Sequence, residues 1–216
     1  MSSRTYLVTG ASRGIGLAIS TLLARRGHRV IGLARHAQGT DFPGELRAWL
    51  AADLDAGAGG IGGSDGQAEG DGAVSTAGIV LPQPLGQIDF QSLQTVFDLN
   101  VRAAVQVTQH FAEAMKARGH GRIVNICSRA IFGSLDRTAY SAAKSAPVGC
   151  THTWALELPE HGVTVNAGAP GPIETERFRQ TRPVGSEAER KVLATIPARR
   201  LGTPDDVAAA IAFFLS

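Results

Sequence analysis

Tyr6-Leu7-Val8-Thr9-Gly10-Ala11-Ser12-Arg13-Gly14-Ile15-Gly16 is the stretch whose reading decides the fold. A short apolar run ends in Thr9-Gly10, as a strand entering a turn does. Ile15, Ile19, Leu22 and Leu23 then recur at i, i+4, i+7 and i+8, one face of a helix. Arg25 and Arg26 close that helix and Gly27 stops it. Val30-Ile31-Gly32-Leu33-Ala34 reads as a second strand, apolar on both faces as a buried parallel sheet requires. The glycines lie between the first strand and the helix, where free N–H groups and positive partial charge face a diphosphate. Gly10 allows the tight turn, Gly14 lets the backbone approach phosphates, and Gly16 lets helix and strand pack closely.

The same alternation runs outward from this unit. Residues 49–54 form a weaker third strand. Residues 90–117 carry the longest helical pattern, with Leu93, Val96, Phe97, Val101, Ala104, Val105, Thr108, Phe111 and Met115 on one face and Gly119 as its stop. Residues 123–126 are a strand, residues 139–158 a helix, and residues 163–165 another strand. Thr203-Pro204-Asp205-Asp206 opens a last helix with an N-cap, a proline in the first turn and acids at the positive end of the dipole. Alternating strands and helices predict a doubly wound α/β domain with a parallel sheet. The 216 residues are expected to form one domain.

Composition excludes several classes. Lys and Arg number 21 against 19 Asp and Glu, a formal charge of +2. That excess predicts neither nucleic acid nor an acidic membrane as partner. No apolar run approaches the ~18 residues of a membrane span. Met1-Ser2-Ser3-Arg4 leads straight into the first strand, so no signal peptide is expected. Two cysteines, Cys127 and Cys150, make no disulfide scaffold, and a cytoplasmic protein is expected.

A second motif is independent of the first. Tyr140-Ser141-Ala142-Ala143-Lys144 places Tyr and Lys one helical turn apart on one face. Ser128 lies twelve residues earlier, just past a strand, at the end of the sheet where open α/β folds bind ligands. Reducing a ketone needs a hydride donor at carbon and a proton donor at oxygen. A tyrosine hydroxyl can exchange that proton when a neighbouring positive charge favours its phenolate. A serine hydroxyl can hold the oxygen in place.

The spacing TGxxxGxG with Ser128, Tyr140 and Lys144 resembles the short-chain dehydrogenase/reductase family, over nearly the whole chain. The pattern is most similar to bacterial 3-oxoacyl-carrier-protein reductases and their relatives. The resemblance implies a Rossmann-like αβα sandwich and an NAD(P)-dependent enzyme interconverting a secondary alcohol and its carbonyl. By it Ser128 orients the substrate, Tyr140 is the acid/base, and Lys144 tunes Tyr140 and binds the nicotinamide ribose. Asn100 matches the helix asparagine whose carbonyl holds a water linking Lys144 to solvent. Gly10, Ser12, Arg13, Gly14, Ile15 and Gly16 would hold the diphosphate. Asp53 and Leu54 would contact the adenine, Ala77 and Gly78 would pass close to the cofactor, and Pro170, Gly171, Ile173 and Thr175 would face the nicotinamide carboxamide. Residues 176–191 match a mobile lid. A homotetramer or homodimer packed through residues 90–117 and 139–158, a small-molecule substrate and no metal are further implications.

The second strand ends Leu33-Ala34-Arg35-His36, with no acid to accept an adenosine 2′-hydroxyl. Arg13 and Arg35 suit a 2′-phosphate instead, so NADP(H) is expected over NAD(H).

Three features depart from the family pattern. Eight glycines lie between Gly57 and Gly72, and residues 55–72 are expected to be the least ordered part of the chain. The fourth strand keeps only Ala73-Val74, and Ser75-Thr76-Ala77-Gly78 lacks both asparagines of the family's NNAG, which puts the central strand's anchoring in doubt. Pro147 falls inside the Tyr140–Lys144 helix, where a proline costs roughly 3 kcal/mol and kinks. The sequence also stops at Ser216, short of a final strand that family members carry, as a truncated chain would. A non-catalytic nucleotide-binding scaffold on the same fold is the alternative reading.

Overall fold

Six short strands hydrogen-bond into one sheet, and their order positions the glycine loop. The computed structural model describes residues 3–34, 42–48 and 70–216. Its strands are β1 (Thr5–Thr9), β2 (Arg29–Ala34), β3 (Glu45–Ala48), β4 (Gly72–Ser75), β5 (Gly121–Ile126) and β6 (Val163–Gly168), in the order β3-β2-β1-β4-β5-β6. Every pairing is parallel. The chain winds outward in one direction from β1 to β3 and in the other from β4 to β6. The reversal between β1 and β4 opens a crevice beyond their carboxyl ends.

Side chains alternate across the strands and build two cores. Tyr6 and Val8 of β1 pack with Val30, Val74 and Val124 against α1 (Gly14–Arg25) and α7 (Pro204–Phe214), through Ile19, Leu23 and Ile211. Leu7 faces the other way, with Leu33, Ala73 and Ile123, and meets Val107, Phe111 and Met115 of α3 (Ala103–Arg118). Each such large side chain contributes roughly 1.5–3 kcal/mol by burial. The expected caps are present. Gly119 ends α3 at φ +66, and Thr203 and Asp206 form a reciprocal capping box on α7.

The predicted third strand at residues 49–54 lies outside the described residues, as do residues 55–69 of the glycine-rich stretch. The strand next to β2 is β3, whose charged Glu45 and Arg47 gave no apolar run to read. β4 is short but spans Gly72–Ser75 and is buried throughout, paired on both sides.

The long helix over residues 90–117 is two helices. α2 (Phe90–Phe97) passes through a π-turn at Asp98–Arg102 into α3. The Asn100 amide explains the wide turn, because its Nδ2 donates to Val96 O at 2.8 Å and to Ile79 O at 3.0 Å. Pro147 does not end α4 (Thr138–Glu157). Pro147 is buried, and Thr151 Oγ1 donates to its carbonyl at 2.7 Å while accepting from Asn125 Nδ2 at 2.9 Å. These bonds tie the helix to β5 at the residue where it lacks a backbone donor, and burial offsets the ~3 kcal/mol cost.

Candidate active site

The Thr9-Gly10 turn can exist only with glycine. Gly10 has φ +64, and a Cβ there would lie 2.9 Å from Thr76 Oγ1 and 3.1 Å from Ala77 Cα. Gly16 must be glycine for closeness, since a Cβ would collide with the carbonyl of Gly10. The first turn of α1 is thereby held against the end of β1. A cleft of about 320 Å³ opens there, lined by Gly10, Ser12, Arg13, Gly14, Ile15 and Gly16, by Leu33 and Ala34 at the end of β2, and by Thr76, Ala77, Gly78 and Thr175. The loop and both flanking strand ends thus meet in one cleft.

The missing asparagines have a substitute in β1. Thr9 is buried, and its Oγ1 accepts from the N–H groups of Thr76 and Ala77, both at 3.0 Å. Thr76 Oγ1 donates back to Thr9 O. The expected loss of anchoring is therefore corrected: a hydroxyl on the neighbouring strand does the pinning. Ser75, at the first asparagine position, leaves its buried Oγ without a partner among the described residues.

Asn100, Gly78 and Lys144 meet beneath the cleft. Asn100 is 2% exposed, and its Oδ1 has no partner among the described residues. A Cβ on Gly78 would strike that oxygen and lie 3.3 Å from Lys144 Nζ. Lys144 is buried on α4, and its Nζ donates to Ile126 O at the end of β5 at 2.8 Å. Burial pushes its ammonium down to about 8, and the Cys127 thiol partly counters this.

Ser128 and Tyr140 line a second cavity of about 400 Å³, with Pro170 and Gly171. It opens beyond the ends of β5 and β6, beside the first. Ser128 caps a 3₁₀ turn at Arg129–Phe132, and its Oγ accepts from Ala130 N at 3.1 Å. That bond uses a lone pair and leaves the hydroxyl proton to donate. Tyr140 packs its ring by Val96, Ala139 and Ala143.

Residues 176–191 fold mostly as α5 (Glu176–Thr181) and the start of α6 (Glu187–Ala194). Phe178, Arg182 and Lys191 from this segment, and Val192 just after it, line the second cavity. Arg179 holds it together, bonded to Glu174 at 2.6 Å and to Glu189 at 2.5 Å. The Arg179 hydrogen bond keeps the Glu189 carboxyl below the usual range. Thr175 caps α5, and its Cγ2 would lie 3.4 Å from a Cβ on Gly14, so the segment starts over the glycine loop.

Most of the sequence-based site residues thus divide between the two cavities, while Asn100 and Lys144 line neither and lie behind Gly78 of the first. Ile173 lines neither; it packs against the α1/α7 core and bridges to Gly202. Arg35, Asp53 and Leu54 lie outside the described residues. Sequence reasoning missed Thr76 in the first cavity and Ser134, Arg137, Arg182 and Thr195 in the second. Only Arg137, three residues before Tyr140, carried a local signal.

Known proteins resemble this arrangement over its whole length. A family model described as Enoyl-(Acyl carrier protein) reductase matches residues 66–216. The 3-oxoacyl-[acyl-carrier-protein] reductase FabG of Vibrio cholerae is 34% identical over 235 residues, covering 100% of this chain and 91% of that reductase. The short-chain reductase protein NovJ of Streptomyces niveus is 37% identical, covering 96% of this chain and 85% of that one. A Beutenbergia cavernae structure with bound NADP has a TM-score of 0.88 at 34% identity, covering 99% of this chain and 90% of that one.

Proposed function

The chain belongs to the short-chain dehydrogenase/reductase family of oxidoreductases, and from that premise we propose that it is an NADP(H)-dependent enzyme interconverting a secondary alcohol and its ketone or aldehyde. One observation carries the reading. Lys144 is buried, with an ammonium lowered to about 8, one helical turn from Tyr140, which shares a cavity with Ser128. A buried lysine is costly, and a scaffold has no use for one placed there.

The residues present fit a nicotinamide dinucleotide. Gly10, Gly14, Gly16 and Gly78 line the cleft without side chains of their own, and collisions with Thr76, the Gly10 carbonyl and Asn100 would bar a Cβ at Gly10, Gly16 and Gly78. N–H groups of Ser12, Gly14, Ile15 and Gly16 would face the diphosphate, with the α1 dipole behind them. Ala77 and Gly78 would run beside the nicotinamide ribose, with Lys144 beneath. Pro170, Gly171 and Thr175 would hold the carboxamide end, with Ile173 packed behind them in the core. Arg13 lines the cleft next to Ala34, where no acid from β2 opposes a 2′-phosphate. Arg35 extends the same charge in sequence, and Asp53 and Leu54 would take the adenine.

When bound, the cofactor supplies or accepts hydride. The chain's own residues handle the oxygen. Ser128 donates its free proton to the substrate oxygen and fixes its position. Tyr140 gives that oxygen a proton in reduction and takes one back in oxidation. Lys144, able to change charge near pH 8, stabilises the tyrosinate left behind and can replace its proton. Asn100 keeps the lysine's surroundings polar through its unpaired Oδ1.

Fluorescence titration with NADPH, followed by an NADPH-oxidation screen over ketones and β-ketoacyl thioesters, tests the reading. Saturable binding with turnover is expected. Binding without turnover of any member would sink it and leave a nucleotide-binding scaffold.

A further inference from the structure

Resting on the oxidoreductase reading above, we infer that the second cavity is built for a carbonyl or alcohol substrate that carries an anionic group, a carboxylate or a phosphate. Arg129, Arg137, Arg182 and Lys191 all line it, and among the described residues no carboxylate does. The chain as a whole is nearly neutral, so this concentration of one sign is local.

Not every cation there is available. Lys191 is paired with Glu187 at 2.7 Å, and nearby Arg179 is taken by Glu174 and Glu189. The three lining arginines differ, because among the described residues none has an acidic partner. Arg129 reaches only the neutral Thr195, at 3.3 Å to Oγ1 and 3.5 Å to the carbonyl oxygen. Arg182 donates to Thr181 Oγ1 at 2.9 Å, and its guanidinium carbon lies 5.2 Å from the Phe178 ring centre.

Arg137 is the most telling. Its side chain makes no bond to any described residue, and it occupies the N-cap of α4 without capping it. A cation at a helix N-terminus is opposed by the dipole. Asp136, its neighbour in sequence, does not line the cavity. An anion between Arg137 and Arg129 or Arg182 would relieve that repulsion and be met by charge-assisted bonds. Arg137 precedes Tyr140 by three residues, about one helical turn, so the anion would be anchored in the same cavity as the Tyr140 hydroxyl. Ser134 and Thr195 add neutral hydroxyls to the same wall. The cavity of about 400 Å³ suits a small polar molecule.

The test uses matched pairs with the full chain and NADPH: 4-oxopentanoate against its methyl ester, and dihydroxyacetone phosphate against dihydroxyacetone. The charged member of at least one pair should have the higher kcat/KM by about tenfold, equivalent to about 1.4 kcal/mol. The preference should sit in KM and shrink with added salt. Which pair shows it tells carboxylate from phosphate. Arg137→Gln should bring the charged-to-neutral ratio towards one. A fold defect would lower both members together and leave the ratio unchanged. Calorimetry of the NADP⁺-loaded protein with the same compounds separates the two readings. Turnover with no charge preference overturns the anion site and leaves the oxidoreductase standing. Tighter binding of the charged members without turnover supports the anion site and overturns the oxidoreductase. Equal binding and no turnover overturn both.

Discussion

Replacing Lys144 by methionine should flatten the rise of stability with pH in the alkaline range. In the folded protein, burial holds the Lys144 ammonium down to about 8, against an ordinary value of 10.5. Below pH 8 both folded and unfolded chains carry the proton, and the folded state bears the whole cost of a buried charge. Between pH 8 and 10.5 the unfolded chain keeps a proton that the folded chain has released, so unfolding becomes less favourable as pH rises. At about 1.36 kcal/mol per pH unit, that window is worth about 3 kcal/mol. The bond from Nζ to Ile126 O is open to ammonium and amine alike, so its loss in the variant alters the height of the curve more than its slope. The thiols of buried Cys127 and half-buried Cys150 are pushed up by desolvation and act in the opposite sense, since unfolded thiols ionise first. Cys150 behaves alike in both proteins and cancels in the difference, whereas the Cys127 thiol, which the Lys144 charge draws down, rises further in the variant and deepens the variant's loss of stability with pH, in the same sense as the Lys144 effect. Urea unfolding of the cofactor-free protein and of Lys144→Met, from pH 7 to 10.5, measures it. The wild-type curve should climb relative to the variant by about 2–3 kcal/mol. Parallel curves would refute the claim that Lys144 is a charge burdened by burial.

Tyr140→Phe should cut kcat by at least the ~10²–10⁴ typical of acid–base catalysis while NADPH still binds; near-full kcat in steady-state assays would remove Tyr140 from its role. Thr9→Val strips the acceptor from two part-buried N–H groups and should cost about 1 kcal/mol or more, read as a lower urea midpoint; an unchanged midpoint would show that Thr76 and Ala77 are held by other means. Gly16→Ala forces the turn away from the Gly10 carbonyl, and NADPH affinity should fall about tenfold or more, a change of at least ~1.4 kcal/mol. An unchanged dissociation constant by fluorescence would show that the β1–α1 closeness does not shape the cleft.

The sequence by itself determined what depends on near neighbours in the chain. Helix periodicity, the glycine spacing after β1, and Tyr140 four residues before Lys144 are repeats within a turn or two. They predict the doubly wound sheet and the glycine-lined crevice at its switch point, and the family resemblance adds the acid–base roles proposed for Tyr140 and Lys144. The caps at Gly119 and Thr203 were legible for the same reason. Tertiary structure decided what depends on groups far apart in sequence. Thr9 replaces the absent asparagines only because parallel register sets it beside Ser75. Asn100 opens a π-turn because its amide reaches Ile79 O, 21 residues away. Pro147 stays inside a helix because Asn125 on β5 holds Thr151. Arg129, Arg137 and Arg182 surround one cavity only after the segment at 176–194 folds over it. A formal charge of +2 conceals that cluster. Net charge sums over the chain, whereas a ligand feels only the few charges that folding brings within about a Debye length, ~8–10 Å.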